Sequence, residues 1–506
     1  MASRAVAIIP AGLVAALVAV PLAAVFLRAG GAASLTAADW AAVRFTLWQA
    51  ALSAVLSCAL AVPAARALAR RRFWGRDTLV TLLGAPFILP VIVAILGLLA
   101  VFGREGLVNQ ALGLFGLPPF SIYGLHGILL AHVFFNLPLA VRLILHGWQV
   151  IPAERFRLAA QLGFSDRTVA RVIEAPMLRQ VLPGALLVIF VICLSSFAVA
   201  LTLGGGPRAT TVELAIYQAF RFDFDLGKAA TLAALHLLYV GGIAALVLRL
   251  IGPVRADAGV GRPVARWDAR GVAARVQDAV VITAVALFLA LPILSLILKG
   301  GAGVVALPPS VWQAAGHSLT VALASTALCL ALALPLAAAR LGQVISLLGF
   351  ALSPLVLGSG LFLVLQPLTN PFDWALAVTC IVNALMALPF AVRALAPAYE
   401  RAEADFGRLA DGLNLHGWGR WRWLILPRLR RPAGFAAGLT AALSMGDLGV
   451  IVLFADPQRA TLPLQMYRLM TAYQMEAAAA AAVLLLALSL GLFWLLEKGG
   501  RLGPDT

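Results

Sequence analysis

The chain reads as an all-α polytopic membrane protein with about twelve transmembrane helices in two parallel six-span repeats, and three observations carry that reading. First, 62% of its 506 residues are hydrophobic, 12% are charged and the mean hydropathy is +0.97, which is too apolar for a water-soluble globule of this length. Second, the apolar residues gather into runs of the ~20 residues that a helix needs to cross a bilayer core. Third, Leu137–Arg142 (Leu-Pro-Leu-Ala-Val-Arg) returns as Leu388–Arg393 (Leu-Pro-Phe-Ala-Val-Arg), a shift of 251 (393 − 142). Arg157-Leu158-Ala159, Pro176 and Arg208-Ala209-Thr210 return at the same shift as Arg408-Leu409-Ala410, Pro427 and Arg459-Ala460-Thr461. One structural unit is used twice in tandem.

The expected spans are Ala5–Leu27, Phe45–Ala69, Leu79–Phe102, Gly127–Leu145, Val181–Leu203 and Ala229–Ile251, then Ala279–Leu298, Ser318–Ala339, Val344–Leu365, Ala375–Leu395, Pro432–Phe454 and Ala477–Leu496. The first ends at Arg28 with no small-residue cleavage site and reads as a retained span. Domains follow: a first half over 1–251, a polar Gly/Arg-rich linker over 252–277 and a second half over 278–506. Ser53, Ala61 and Pro63 match Ser325, Ala333 and Pro335 at a shift of 272 (335 − 63), so the second copy is shorter between its second and fourth spans. Most of that loss fits the outside loop, long in Gly103–His126 and short in Thr369–Trp374. Six spans precede the repeat, so both halves insert the same way round.

With the N-terminus inside, Arg4, the Arg66–Arg76 cluster, the 142–179 loop, the linker, Arg340, the 393–431 loop and the tail hold most of the 38 Lys and Arg on the cytoplasmic face, as the positive-inside rule requires. Both termini are then cytoplasmic. The net charge of +16 reflects this orientation and attraction to anionic membrane lipids. No nucleic-acid partner is expected, because the arginines are dispersed over several loops. A phosphate-binding loop needs Lys followed by Ser or Thr, whereas Lys228, Lys299 and Lys498 precede Ala or Gly, so the chain is not expected to hydrolyse ATP. Cys58, Cys193, Cys329 and Cys380 fall inside spans without metal-ligand spacing and read as packing residues. No metal or cofactor is expected.

The longest cytoplasmic loops lie between the fourth and fifth spans of each half. Arg157-Leu158-Ala159 leads to Gly163, nine residues and Ile173-Glu174-Ala175-Pro176; Arg408-Leu409-Ala410 leads to Asn414, nine residues and Leu424-Ile425-Leu426-Pro427. Each predicts a short helix ended by a residue that tolerates a left-handed backbone, with the proline marking the return to the membrane. The pattern resembles the EAA motif of binding-protein-dependent ABC importer permeases, with Arg157 and Arg408 where glutamate is typical and Asn414 in place of glycine. Phe197–Thr211 and Ala215–Asp225 resemble the permeases for thiamine and thiamine pyrophosphate, which are fused two-half chains. The resemblance implies the MetI-like fold, two separate ATP-binding-cassette ATPase subunits docked on the two loops, a periplasmic substrate-binding protein, an inner-membrane location and no enzymatic activity of the permease itself. The related iron(III) permeases share the fused architecture; an iron(III) or polyamine permease is the rival within the class, and an ion-gradient-driven transporter is the rival of a different class.

Asp447 is the one carboxylate near the middle of an expected span and marks a pathway or the seam between halves, with a structural hydrogen bond between helices as the alternative. Its counterpart at the 251 shift is Ser196. His132, Asn136 and Asn383 are further pathway candidates, and they and His236 also suit hydrogen bonds between helices. Trp418, Trp421 and Trp423, interleaved with Arg420 and Arg422, read as an interfacial anchor. On the outside, Arg208, Glu213, Arg221, Asp223 and Asp225 form a mixed-charge segment suited to docking the soluble partner.

Overall fold

The computed structural model describes residues 2–29, 35–84, 88–250, 271–350, 352–454 and 457–501. The first half contains α1 Ala2–Ala29, α2 Ala37–Arg70, α3 Arg76–Leu82, α4 Val91–Phe102, α5 Leu107–Leu114, α6 Leu125–Val150, α7 Ala153–Gln161, α8 Asp166–Val169, α9 Ala175–Leu194, α10 Phe197–Leu203, α11 Val212–Arg221 and α12 Leu226–Leu250. The second contains α13 Val272–Gly300, α14 Pro309–Ala337, α15 Arg340–Ser346, α16 Pro354–Leu365, α17 Ala375–Gly412, α18 Gly417–Arg420, α19 Leu426–Met445, α20 Leu462–Thr471 and α21 Met475–Arg501. This is an all-α polytopic membrane protein.

Among the described residues ten helices are long and apolar enough to span a membrane, or eleven if one bent pair counts as a span. The expected twelve continuous spans are therefore corrected at four places. Leu79–Phe102 is divided between α3 and α4, with Pro90 capping α4. Val181–Leu203 breaks at Ser195-Ser196. Val344–Leu365 bends by 90° between α15 and α16, and Pro432–Phe454 leaves the helix at Met445. Most of the expected linker, 252–270, lies outside the described residues, and its last part, Val272–Gln277, is the first turn and a half of α13.

The halves interlock by exchanging their first helices. α1 packs on α14, α15 and α16 of the second half, while α13 packs on α2 and α4 of the first. Each exchange places a proline against a glycine. A Cβ added at Gly97 of α4 would stand 2.8 Å from the Pro292 carbonyl oxygen of α13, and one at Gly360 of α16 would stand 2.5 Å from the Pro21 carbonyl oxygen of α1. Missing side chains let the backbones approach closely, the device by which helices associate in lipid without a hydrophobic driving force. The Arg71 Nε donates to Asp278 Oδ2 at 2.7 Å, a further tie between the end of α2 and the start of α13.

Candidate functional site: two exposed knobs and a central cavity

α7 starts after Pro152 and ends in a left-handed Gly163, φ +65°. The Phe164 N–H donates to the Ala159 carbonyl at 3.0 Å and the Gly163 N–H to Ala160 at 3.2 Å, the paired bonds of a Schellman C-cap. α17 ends the same way: Asn414 has φ +55°, Leu415 N–H donates to Ala410 at 2.9 Å and Asn414 N–H to Asp411 at 3.1 Å. The two loop helices thus share one termination. Their anchoring to the bundle differs. α7 is separated from α6, whereas α17 runs unbroken for 38 residues, about 57 Å at 1.5 Å per residue.

Arg157, Leu158, Arg408 and Leu409 are exposed, and Ala159 and Ala410 face inward. Leu162 and Leu413, which sequence reasoning passed over, are exposed beside them at the 251 shift. Exposed leucines at equivalent positions of two knobs form apolar tips of the kind that protein partners cover. Behind each knob the chain returns through a five-residue π-turn, Ala170–Glu174 and Trp421–Ile425. Pro176 and Pro427 sit in the first turn of α9 and α19 and enforce the wide turn, since proline has no N–H and clashes with the carbonyl four residues back.

The supports behind the knobs are chemically unlike. The first rests on a small apolar core of Phe156, Ala159, Val169 and Ile173, with Glu174 accepting from Arg66 Nε at 2.8 Å and lying 3.7 Å from Arg70 Nη2. In the second, Arg420 stands where the first has Val169; it donates to Glu403 Oε1 at 3.0 Å and to Asp411 Oδ1 at 2.6 Å. The Glu403 bonds, with help from Asp411, hold the Arg420 guanidinium more firmly protonated than usual. Arg420→Ala should therefore speed amide hydrogen exchange over 403–420 by roughly fivefold, the equivalent of a ~1 kcal/mol charge network, and leave 153–174 unchanged. Trp421 packs on Tyr399, ring centroids 6.0 Å apart, while Trp418 and Trp423 are exposed.

All four helix interruptions converge on one cavity of about 350 Å³. Leu89-Pro90-Val91 and Ser353-Pro354-Leu355 enter from α4 and α16, Ser195–Val199 from between α9 and α10, and Gly446–Gly449 from the end of α19. Interrupted helices that meet around one cavity are a recurring source of substrate sites in transporters. Dipole effects oppose one another here, because the amino ends of α4 and α16 face the carboxyl ends of α9 and α19.

Of the pathway candidates, Asp447, Ser196, His132 and Asn136 line this cavity and Asn383 does not. His132 bridges Ser53 Oγ at 2.9 Å and Ser196 Oγ at 2.6 Å; Asn136 Nδ2 donates to the His132 carbonyl at 2.9 Å and lies 3.3 Å from Cys193 Sγ. Asn383 makes the corresponding knot wholly inside the second half, donating to Ser444 Oγ at 3.0 Å, which in turn reaches Ser325 Oγ at 3.1 Å. Asp447 lies beyond the helix end, and its carboxylate accepts from Gly449 N–H at 3.2 Å and Val450 N–H at 3.5 Å of its own turn.

The segment expected on the outside requires a correction. Glu213 is buried in the first turn of α11 and lines the cavity, so it is not part of a docking surface. Arg208, Asp223 and Asp225 are exposed and Arg221 is half-buried. Asp225 Oδ1 also accepts from the Lys228 N–H at 2.9 Å at the start of α12. Thr211 and Thr461 are the residues preceding α11 and α20, so the structural register here is 250 (461 − 211), one less than the sequence match suggests. Val212 N–H donates to Thr46 Oγ1 and Leu462 N–H to Ser318 Oγ, at 2.9 and 2.8 Å.

No family model matches the chain. It is similar to proteins named thiamine transport system permease protein ThiP: 39% identical over 503 residues to that of Brucella abortus (strain 2308), covering 94% of this chain and 92% of the relative. To that of Escherichia coli (strain K12) it is 40% identical over 476 residues, covering 91% and 89%. To that of Haemophilus influenzae it is 35% identical over 466 residues, covering 88% and 86%. With such identity along nearly the whole of both chains, this protein belongs to the family of thiamine transport system permeases.

Proposed function

We propose that this chain is the permease of an ATP-driven importer in the inner membrane, passing thiamine and thiamine phosphates from a periplasmic binding protein to the cytoplasm. Two separate ATPase subunits would seat on the knobs at Arg157–Gly163 and Arg408–Asn414, with both chain termini on that side. The observation that carries this reading is the pair of exposed knobs with one shared C-cap geometry at equivalent places in two halves. ATP-driven closure of the ATPases would pull the knobs together, and the continuous α17 would carry that movement directly into the helices around the cavity. The seams at Gly97–Pro292 and Gly360–Pro21 would be where the halves rock, opening the cavity alternately to the two sides.

The soluble protein that co-purifies with the chain should bind thiamine; a co-purifying protein that binds iron(III) or polyamines instead would overturn the substrate. Arg208, Arg221, Asp223 and Asp225 support docking of that protein on the outer face. Reversing both Asp223 and Asp225 to lysine should reduce binding-protein-stimulated ATPase activity about threefold at low salt and less at high salt, because exposed charges are screened within about 10 Å at 0.1 M. Unchanged stimulation at low ionic strength would remove them from the docking surface.

A further inference from the structure

Glu213 and Asp447 come from different halves and line the same cavity. Glu213 is 1% exposed. Its Oε1 accepts from Ser353 Oγ, across the seam, and lies 3.7 Å from His236 Nε2. Its Oε2 has no hydrogen-bond partner. His236 is itself held by Tyr239, whose hydroxyl is 2.8 Å from Nδ1. Asp447 bonds only to amides of its own turn. Among the described residues, no Lys or Arg lines the cavity, while Phe135, Phe197, Pro90 and Pro354 give it apolar walls. Glu213 is withdrawn from water and Asp447 is half-buried at the cavity wall, so a cation entering the cavity would offset the cost of burying carboxylate charge there.

The geometry points to an organic-cation site shared between the halves, in which Glu213 and Asp447 neutralise a positively charged ring and Phe135 and Phe197 offer it aromatic faces. The identity of that ring rests on the proposed function: in thiamine it is the thiazolium. A quaternary ring nitrogen has no proton to donate, so it is recognised by charge and by aromatic faces instead of hydrogen bonds. Ser195 Oγ, 3.4 Å from His236 Nε2, and Ser196 Oγ, 2.6 Å from His132 Nε2, can each take a second hydrogen bond from the polar remainder of the molecule. Because one carboxylate belongs to each half, rocking the halves apart would separate the two charges and weaken the grip at the moment of release. Substrate release is thereby tied to the same movement that opens the cavity.

The test uses the purified transporter with its ATPase subunits and without binding protein, with radiolabelled thiamine and an uncharged isostere whose thiazolium is replaced by thiophene. The wild type should bind thiamine about tenfold or more tightly than the isostere, and Glu213→Gln with Asp447→Asn should bring the two within about twofold. Asp447→Asn alone, whose side chain holds only its own turn, should narrow the ratio partway and serves if the double variant does not fold by size-exclusion chromatography. No preference in the wild type, or a preference kept in the variants, would overturn the site. ATP-driven uptake by the wild type in vesicles with the binding protein separates the two ideas. Thiamine uptake without preference in the binding assay removes the site and leaves the function; a cation preference without thiamine uptake leaves the site and removes the function.

Discussion

Gly360→Leu should unfold this protein's seam between halves more than any exposed substitution of the same size. The new side chain would start 2.5 Å from the Pro21 carbonyl oxygen, and neither backbone can yield without moving α1 off α16. Overpacking of this kind costs about 1–3 kcal/mol, and here it falls on the contact that holds the two halves in register. The expected result is a lower thermal unfolding temperature in detergent and an uptake rate reduced by about an order of magnitude. Gly12→Leu on the exposed face of α1, where an added Cβ meets nothing within 4 Å, should change stability by no more than about 0.5 kcal/mol. Equal effects of the two substitutions would mean that the exchange of first helices does not hold the halves together.

Gly163→Val should leave insertion and folding intact and uncouple ATP hydrolysis from uptake. A Cβ at Gly163 meets nothing within 4 Å, so the penalty is one of backbone conformation alone. A β-branched residue at φ +65° costs on the order of 1–3 kcal/mol, enough to dissolve the Schellman cap and let the end of α7 drift. Uptake should fall by about tenfold or more at a given rate of ATP hydrolysis. Gly163→Asn supplies the control, because Asn414 already holds the same left-handed cap in the other half; it should retain uptake within about twofold. Full uptake by Gly163→Val, or equal loss in both variants, would dissociate the cap from coupling.

What was legible in the sequence followed from periodic and local rules. Hydropathy located the spans because burial in lipid is additive along a helix. The left-handed positions at Gly163 and Asn414 were readable because few residues tolerate that conformation. Continuity was not readable. Composition windows over Leu79–Phe102 and Pro432–Phe454 register apolar residues whether or not the helix persists, so the breaks at Pro90 and Gly446, which shape the cavity, were invisible to them. Glu213 shows a second limit. Its neighbours Arg208, Asp223 and Asp225 are exposed, and sequence proximity placed it with them. The helical turn from Thr211 instead directs it inward against Ser353, 140 residues away. The exchange of α1 and α13 was likewise unreadable, since a glycine facing a proline in another half leaves no trace in either segment. The two prolines followed by apolar helices, Pro90-Val91 and Pro354-Leu355, were the missed signal, recurring in both halves at the same place.

Separate ATPases, acting through two knobs, would drive a movement of the halves that carries thiamine inward. The most direct measurement is uptake of labelled thiamine into vesicles containing the whole transporter, with binding protein outside, ATP inside and ion gradients collapsed by ionophores. The expected result is accumulation that requires ATP, the ATPase subunits and the binding protein together, and that is indifferent to the ionophores. Accumulation that persists without the ATPase subunits and vanishes when the ion gradients are collapsed would contradict it.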